Sequence, residues 1–381
     1  MPCTRTSIGL ALALLVAPST ALAGVTGVAF VHGTGKQTNA LVDYWTAAMV
    51  DSVRLGLPNT TNYVVVNCDF EKYMWDPAAA GCLAGQLSSF IKAKKITDLL
   101  VITHSNGGNM LRWILSNPTY DSRYPAIISA IRWVDALAPS SLGTPLANAV
   151  VSGTTFEKSL GWLLGYKSEA VIMQQTQNMA YYNANWLYGT AGRPALPRDL
   201  WAVVGSDVDS SPFDNDSWCG GYSLGVGLET TQWWLDSCSD GFLDCSSQGG
   251  AGHEWFHDIE YTYEQEPLSH AQSRRNCFYL DLFLRNLVHV DTFITAAARD
   301  IAIYAPSIGP AIASHDAIVA SVEAPPGALV VHYQPTAFPD DPVQDPGPRE
   351  IRFPAYDASH SVALDQPLAL RDDLATWLSE P

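Results

Sequence analysis

The chain has 381 residues, 47% of them hydrophobic and only 15% charged, with a formal net charge of −17. Such a composition suits a large buried core. A chain this acidic has nothing with which to neutralise a phosphate backbone, which excludes nucleic acid as a partner.

In chain order, Met1-Pro2-Cys3-Thr4-Arg5, an apolar run from Ile8 to Ala17 and Ala21-Leu22-Ala23 read as a secretory signal peptide over residues 1–23. The run is too short to span a bilayer, so the mature chain is expected to be secreted or periplasmic, without a transmembrane anchor. Val25–Val31 predicts a strand that ends in His32-Gly33-Thr34-Gly35-Lys36, Asn39–Leu55 a helix, and Asn62–Asn67 a second strand. Leu83–Lys95 predicts a helix and Asp98–Ile102 a strand, followed by Thr103-His104-Ser105-Asn106-Gly107-Gly108 and a helical pattern over Met110–Leu115. Ile128–Leu137 and Leu200–Gly205 predict two more strands. The stretch 141–198 between them carries no strand signal and is either a mobile lid or a pair of fixed packing helices. Helical patterns follow over Phe278–Leu287 and Thr292–Tyr304. Strands are expected at His315–Val322, Ala328–Tyr333 and Ile351–Tyr356, with a closing helix at Leu370–Leu378.

Continuous apolar strands alternating with helices imply a parallel sheet covered on both faces, a doubly wound α/β domain. The domain is expected over 24–304, with a small β-rich C-terminal appendage over 305–381. Export makes the six cysteines beyond Cys3 a disulfide framework. Local pairing suggests Cys68–Cys82 and Cys219–Cys238, leaving Cys245–Cys277.

A serine between small residues, after a buried strand and before a helix, has the layout of a nucleophile elbow. Gly107 supplies the small residue that the tight turn needs, and the Asn106 N–H lies at a helix N-terminus, where an oxyanion can be held. A serine hydroxyl needs a base, and the base needs an acid to fix its tautomer. Asp207, Asp209, Asp240 and Asp244 are the acid candidates, and His253, His257, His270 and His289 follow the serine as base candidates. His32 and His104 sit in the serine's flanking loops and are expected to orient them or to flank the substrate, while His315, His332 and His360 belong to the appendage.

Six segments, taken in order, resemble the secreted bacterial triacylglycerol lipases of the α/β-hydrolase superfamily. They are Val31-His32-Gly33-Thr34, Thr103 to Gly108, Ala138 to Leu146, Met173 to Trp186, Asp240-Gly241-Phe242-Leu243 with Cys245-Ser246-Ser247, and Leu268-Ser269-His270. The resemblance implies an α/β-hydrolase sheet with a helical lid insert and a triad of Ser105, Asp240 and His270. It also implies an oxyanion hole from Thr34 and Asn106. Thr103 stands where the family's elbow has glycine, and Gln272 where those lipases carry a calcium-binding aspartate.

No cofactor is therefore expected. A structural calcium is left only to the oxygens of Asp207, Asp209, Asp214 and Asp216, for which a solvated acidic turn is the more frequent explanation. The expected function is serine carboxylester hydrolysis by a monomer acting on a lipid ester. An extracellular polyester depolymerase with the same triad and a non-catalytic binding protein on a hydrolase scaffold are the alternatives.

Overall fold

The computed structural model describes residues 24–152, 168–208, 222–258, 267–275, Leu284 and four short strands of the C-terminal segment. The expected signal peptide, Asp209, Asp214, Asp216, Cys219, Cys277, His289, His315, His360 and the helices expected at 292–304 and 370–378 lie outside them. So do residues 153–167 of the insert and all of the helix expected at 278–287 except Leu284.

Six strands form one parallel sheet: β1 (Thr26–Val31), β2 (Tyr63–Val65), β3 (Asp98–His104), β4 (Ile131–Leu137), β5 (Leu200–Val204) and β6 (His253–His257), in the order β2-β1-β3-β4-β5-β6. Every residue of β1 and β3 is buried, which is why these strands read as unbroken apolar runs instead of alternating ones. Helices α2 (Cys82–Lys94), α3 (Gly107–Ser116) and α4 (Tyr124–Ala130) bring Leu83, Leu87, Leu111, Ile114 and Ile127 into one core with Val101 and Val134. The α2 helix stops at Lys95, which takes the left-handed conformation of a C-cap, and Lys92 and Lys94 in its last turn face the negative end of the helix dipole. The strand order reverses between β1 and β3, and in open α/β sheets ligands sit beyond the strand ends at such a point. There, the loop after β1 meets the turn after β3.

Three features of the secondary structure differ from the sequence expectations. The helix expected over Asn39–Leu55 is broken at Thr46 (φ 77°, ψ 143°): a single π-type turn covers Leu41–Trp45, and α1 (Ala47–Arg54) starts afresh with the Thr46 hydroxyl accepting from Met49 N–H. The strand expected from Ile128 begins only at Ile131. Pro125 in the first turn sets up α4, whose apolar end runs into β4 without a linker and so hides the boundary. The β6 strand was not expected at all, because His253-Glu254-Trp255-Phe256-His257 has no apolar run. In the 141–198 insert the described helices are α5 (Pro145–Ser152), α6 (Glu169–Met173) and α7 (Thr176–Asn185). Two further helices, α8 (Tyr222–Thr231) and α9 (Cys245–Gln248), follow β5. In the C-terminal segment β7 (Ile318–Ser321), β8 (Leu329–Tyr333), β9 (Arg349–Phe353) and β10 (Ala363–Leu364) make a separate antiparallel sheet in the order β10-β7-β8-β9.

Cys68–Cys82 is bonded as expected, but Cys238 joins Cys245, not Cys219, so a Cys245–Cys277 bridge is excluded as well. The reason is local. The chain turns back on itself between them, Cys245 N–H donates to the Cys238 carbonyl at 3.0 Å, and the two Cα atoms lie 5.5 Å apart. Proteolysis of the unreduced protein should therefore yield one linked peptide pair holding Cys68 and Cys82 and another holding Cys238 and Cys245. Replacing Cys68 and Cys82 together by alanine should lower the unfolding free energy by about 3 kcal/mol in a urea titration, the value for a loop of this size.

Candidate active site

Strand β3 ends at His104, and the next residue, Ser105, sits at φ 53°, in the left-handed region that a side chain other than glycine rarely occupies. The turn is held by Ser105 N–H donating to the Leu137 carbonyl (2.9 Å) and by Gly108 N–H donating to the Ser105 carbonyl (3.1 Å). Gly107 is required by space: a Cβ there would run into the carbonyl oxygens of His32 and Val31. The serine thus stands at the head of α3 and against the loop after β1, with Gly33 so close that an added Cβ would lie 2.8 Å from Ser105 Cβ.

The loop after β1 is fixed by His32. Its Nδ1–H donates to the Gly33 carbonyl (2.8 Å), its Nε2 accepts from Cys68 N–H (3.2 Å), and its ring stacks on Phe70 at 4.2 Å. Gln174, at the end of α6, donates through Nε2 to the Thr34 hydroxyl (2.9 Å) and so ties the insert to the same loop. Among the described residues the backbone N–H groups of Thr34 and Asn106 have no acceptor.

Asp240 is completely buried, and its carboxylate is fully used. Oδ1 accepts from the N–H groups of Phe242 (2.9 Å) and Leu243 (2.7 Å), and Oδ2 accepts from His270 Nδ1 (2.7 Å). One carboxylate therefore organises a turn, with Gly241 at φ 83°, and grips the histidine. The His270 N–H also donates to the Asp240 carbonyl (2.9 Å), and the imidazole lies between Phe242, stacked at 4.5 Å, and His104, at 4.6 Å. With Nδ1–H held by Asp240, the Nε2 lone pair is the basic position. Ser105 and His270 are 3% and 8% exposed. Among the described residues Ser105 Oγ and His270 Nε2 make no hydrogen bond, to each other or elsewhere. Such contacts often close only around a substrate.

The other candidates are engaged elsewhere. Asp207 is exposed and accepts from Val208 N–H and Gln232. Asp244 accepts from Asp236 N–H, and burial raises its pKa. His253 lies over Trp201, and His257 contacts Asp258 and Cys238. Cys238, Cys245 and His257 cluster at metal-binding distance, but the two sulfurs are bonded to each other.

Four supporting side chains carried no usable sequence signal. Asp258 is 2% exposed and accepts through Oδ2 from both Ser206 and Leu268 N–H groups at 2.7 Å, joining the loop after β5 to the loop that carries His270. Gln248 pairs with both backbone groups of Gly205. Gln272, at the position of the calcium-binding aspartate in the resembling lipases, accepts from Ser269 N–H (2.8 Å) and braces the turn itself. Arg112 of α3 donates to the Ser141 and Tyr188 carbonyls and to Asn183, clamping the described ends of the insert to the helix behind Ser105. Burial lowers its pKa to about 9.

No protein-family profile and no curated protein matches this chain. Solved structures do resemble it. The lipase BlEst2 of Bacillus licheniformis in its mature form is 17% identical, with 70% of this chain and 92% of that one covered and a TM-score of 0.49. EstA from Clostridium botulinum is 12% identical over 68% of this chain and 87% of that one, with a TM-score of 0.43. Lipase 1 from Pelosinus fermentans is 14% identical over 65% and 89%, with a TM-score of 0.43. Similarity at this level transfers no activity. The parallel strand order and the strand–serine–helix turn after the central β3 define the class on their own: the fold is that of an α/β-hydrolase.

His32 has no exposure, and burial outweighs its two backbone hydrogen bonds, lowering its pKa from 6.5 to about 4. Between those values the unfolded chain takes up a proton that the folded chain refuses. The stability due to this group is whole above pH 6.5 and is lost as the pH falls from there towards about 4, an amount of about 3 kcal/mol at the usual conversion. Urea midpoints of the native chain should fall between pH 7.5 and 4.5, and those of His32→Gln should fall less steeply. Equal slopes would show that His32 is not the responsible group.

Proposed function

We propose that this chain is a secreted serine carboxylester hydrolase, lipase-like, which works through an acyl-enzyme. The observation that carries the reading is the buried Asp240–His270 pair at 2.7 Å, standing in contact with the residue that precedes a strained Ser105. In this reading Ser105 Oγ attacks the ester carbonyl while His270 Nε2 takes its proton. Asp240 holds the imidazole in the required tautomer and stabilises the imidazolium. The N–H groups of Thr34 and Asn106 receive the oxyanion. His270 then returns the proton to the leaving alcohol, and water repeats the sequence to free the acid. The scheme calls for no cofactor.

That Ser105 is only 3% exposed favours an ester that enters a covered site over a depolymerase working on an open polymer face. The intact contact between acid and base speaks against a purely binding role. Export is supported by the leader-like start and the two disulfides, and no described helix is long and apolar enough to cross a membrane.

A fluorophosphonate probe should add its mass to the peptide holding Ser105. Ser105→Ala and His270→Ala should each lose at least about 10³-fold in kcat on nitrophenyl esters while remaining folded, and Asp240→Asn should be severely impaired. Asp207→Asn and His257→Ala should keep most activity. Turnover by folded Ser105→Ala close to that of the native chain would end this reading. Faster turnover of polyester particles than of emulsified triglyceride would shift it to the depolymerase.

A further inference from the structure

On the reading of Ser105, His270 and Asp240 as the reacting groups, we infer that Tyr44 is a positioning residue of the site: its hydroxyl holds the His104 ring through Nδ1, and His104 fixes the backbone of His270. Tyr44 belongs to none of the three loops that carry the reacting groups. It comes from the π-type turn at Leu41–Trp45, and its ring is buried. Its hydroxyl lies 2.5 Å from His104 Nδ1. On the other side of that imidazole, Nε2 is 2.9 Å from both the His270 carbonyl oxygen and Ser273 Oγ.

These distances allow one proton arrangement. A carbonyl oxygen only accepts, and the Ser273 hydroxyl is already directed at the same carbonyl, at 3.0 Å. His104 Nε2 therefore carries the hydrogen, Nδ1 is bare, and the phenol donates to it. The opposite tautomer would set a lone pair against the His270 oxygen and leave the phenol facing an N–H. The His270 carbonyl selects the tautomer, and removing the Tyr44 hydroxyl leaves the buried Nδ1 an acceptor without its donor, so the ring loses one of its two anchors.

Two more contacts make Tyr44 the point where the loops meet. The Arg274 guanidinium lies over its ring at 4.2 Å, and Arg274 Nη1 donates to its carbonyl, so the turn after His270 is seated on this residue. Gly33, next to Thr34, packs so closely on the hydroxyl that a Cβ there would collide with it. The titratable and charged groups facing His104 are Tyr44, His270 and the arginines 274 and 275. Burial first, then these neighbours, hold its pKa well below the usual histidine value, so it works as a neutral strut and not as a second base.

The test combines a measurement on the native chain with one variant. Histidine-selective 15N NMR of the unmodified protein should show His104 as a single Nε2–H tautomer. An Nδ1–H form or an even mixture would overturn the inference, whatever a variant does. Tyr44→Phe keeps the ring and its cation contact and removes only the hydroxyl. It should lower kcat tenfold or more with KM within twofold, slow phosphonylation of Ser105 in proportion, and move the bare His104 Nδ1 resonance downfield as that nitrogen loses its hydrogen bond. Unchanged kcat, or a loss confined to KM, would reduce Tyr44 to a packing residue. Failure of the probe to label Ser105 in the native chain would instead overturn the ester-hydrolase reading, while the tautomer result would still stand on its own.

Discussion

A carboxylate removed from water must find all its partners within the protein, and Asp240 is the group on which the rest of this site depends. An ionised carboxyl with unfilled acceptor positions in such a place would be strongly destabilising, or would take up a proton and cease to hold an imidazolium. Here two backbone N–H groups and one imidazole N–H occupy it, and each comes with a structural commitment. The N–H groups require the tight turn at Gly241, and the imidazole requires the loop from 267 to 275 to lie directly above it. Phe242, the residue that supplies one N–H, also supplies the flat face on which the His270 ring rests.

The surrounding architecture meets those commitments with neutral groups. Gln248, Gln272 and Asn183 satisfy backbone or side-chain partners with amides, and Thr144 donates to the Phe242 carbonyl at 2.7 Å. Asp258 is a further buried carboxylate of this region and bridges two backbone N–H groups. The result is a site in which the loops after β3, β5 and β6 are joined to one another by hydrogen bonds as well as by apolar contacts. Charge-assisted bonds to backbone N–H groups are short and directional, which suits a constellation that must be held to fractions of an ångström.

Much of this was legible in the sequence, for reasons that can be named. Strands buried on both faces leave unbroken apolar runs, so β1, β3 and β5 could be read directly, and the serine turn followed from the small residues around Ser105. Asp240 and His270 were set apart from their rivals by the resemblance of the segments that carry them, and the structure brings these two together and leaves Asp207 and His257 with other partners. What the sequence hid depends on contacts between distant segments. Nothing near Tyr44 announces that it meets residue 104, and Asp258 is one acid among many. The Cys238–Cys245 bridge lost to a longer pairing because the turn that brings the two cysteines together is made by hydrogen bonds, not by a recognisable composition. The β6 strand lies at the edge of the sheet with His253 and Glu254 exposed, so it has no buried apolar run for the sequence to show.

The same bridge has a consequence for how this chain can change length. Residues 238 to 245 form a covalently closed ring that is also crossed by the Ser239–Asp244 backbone pairing, with Asp240 on its inner course. An extra residue between Cys238 and Asp240 would shift the carboxylate by one position and turn it away from His270, while one between Asp240 and Leu243 would break the turn whose N–H groups it accepts from. A change of length in this segment is therefore felt at once by Asp240, however conservative the inserted residue.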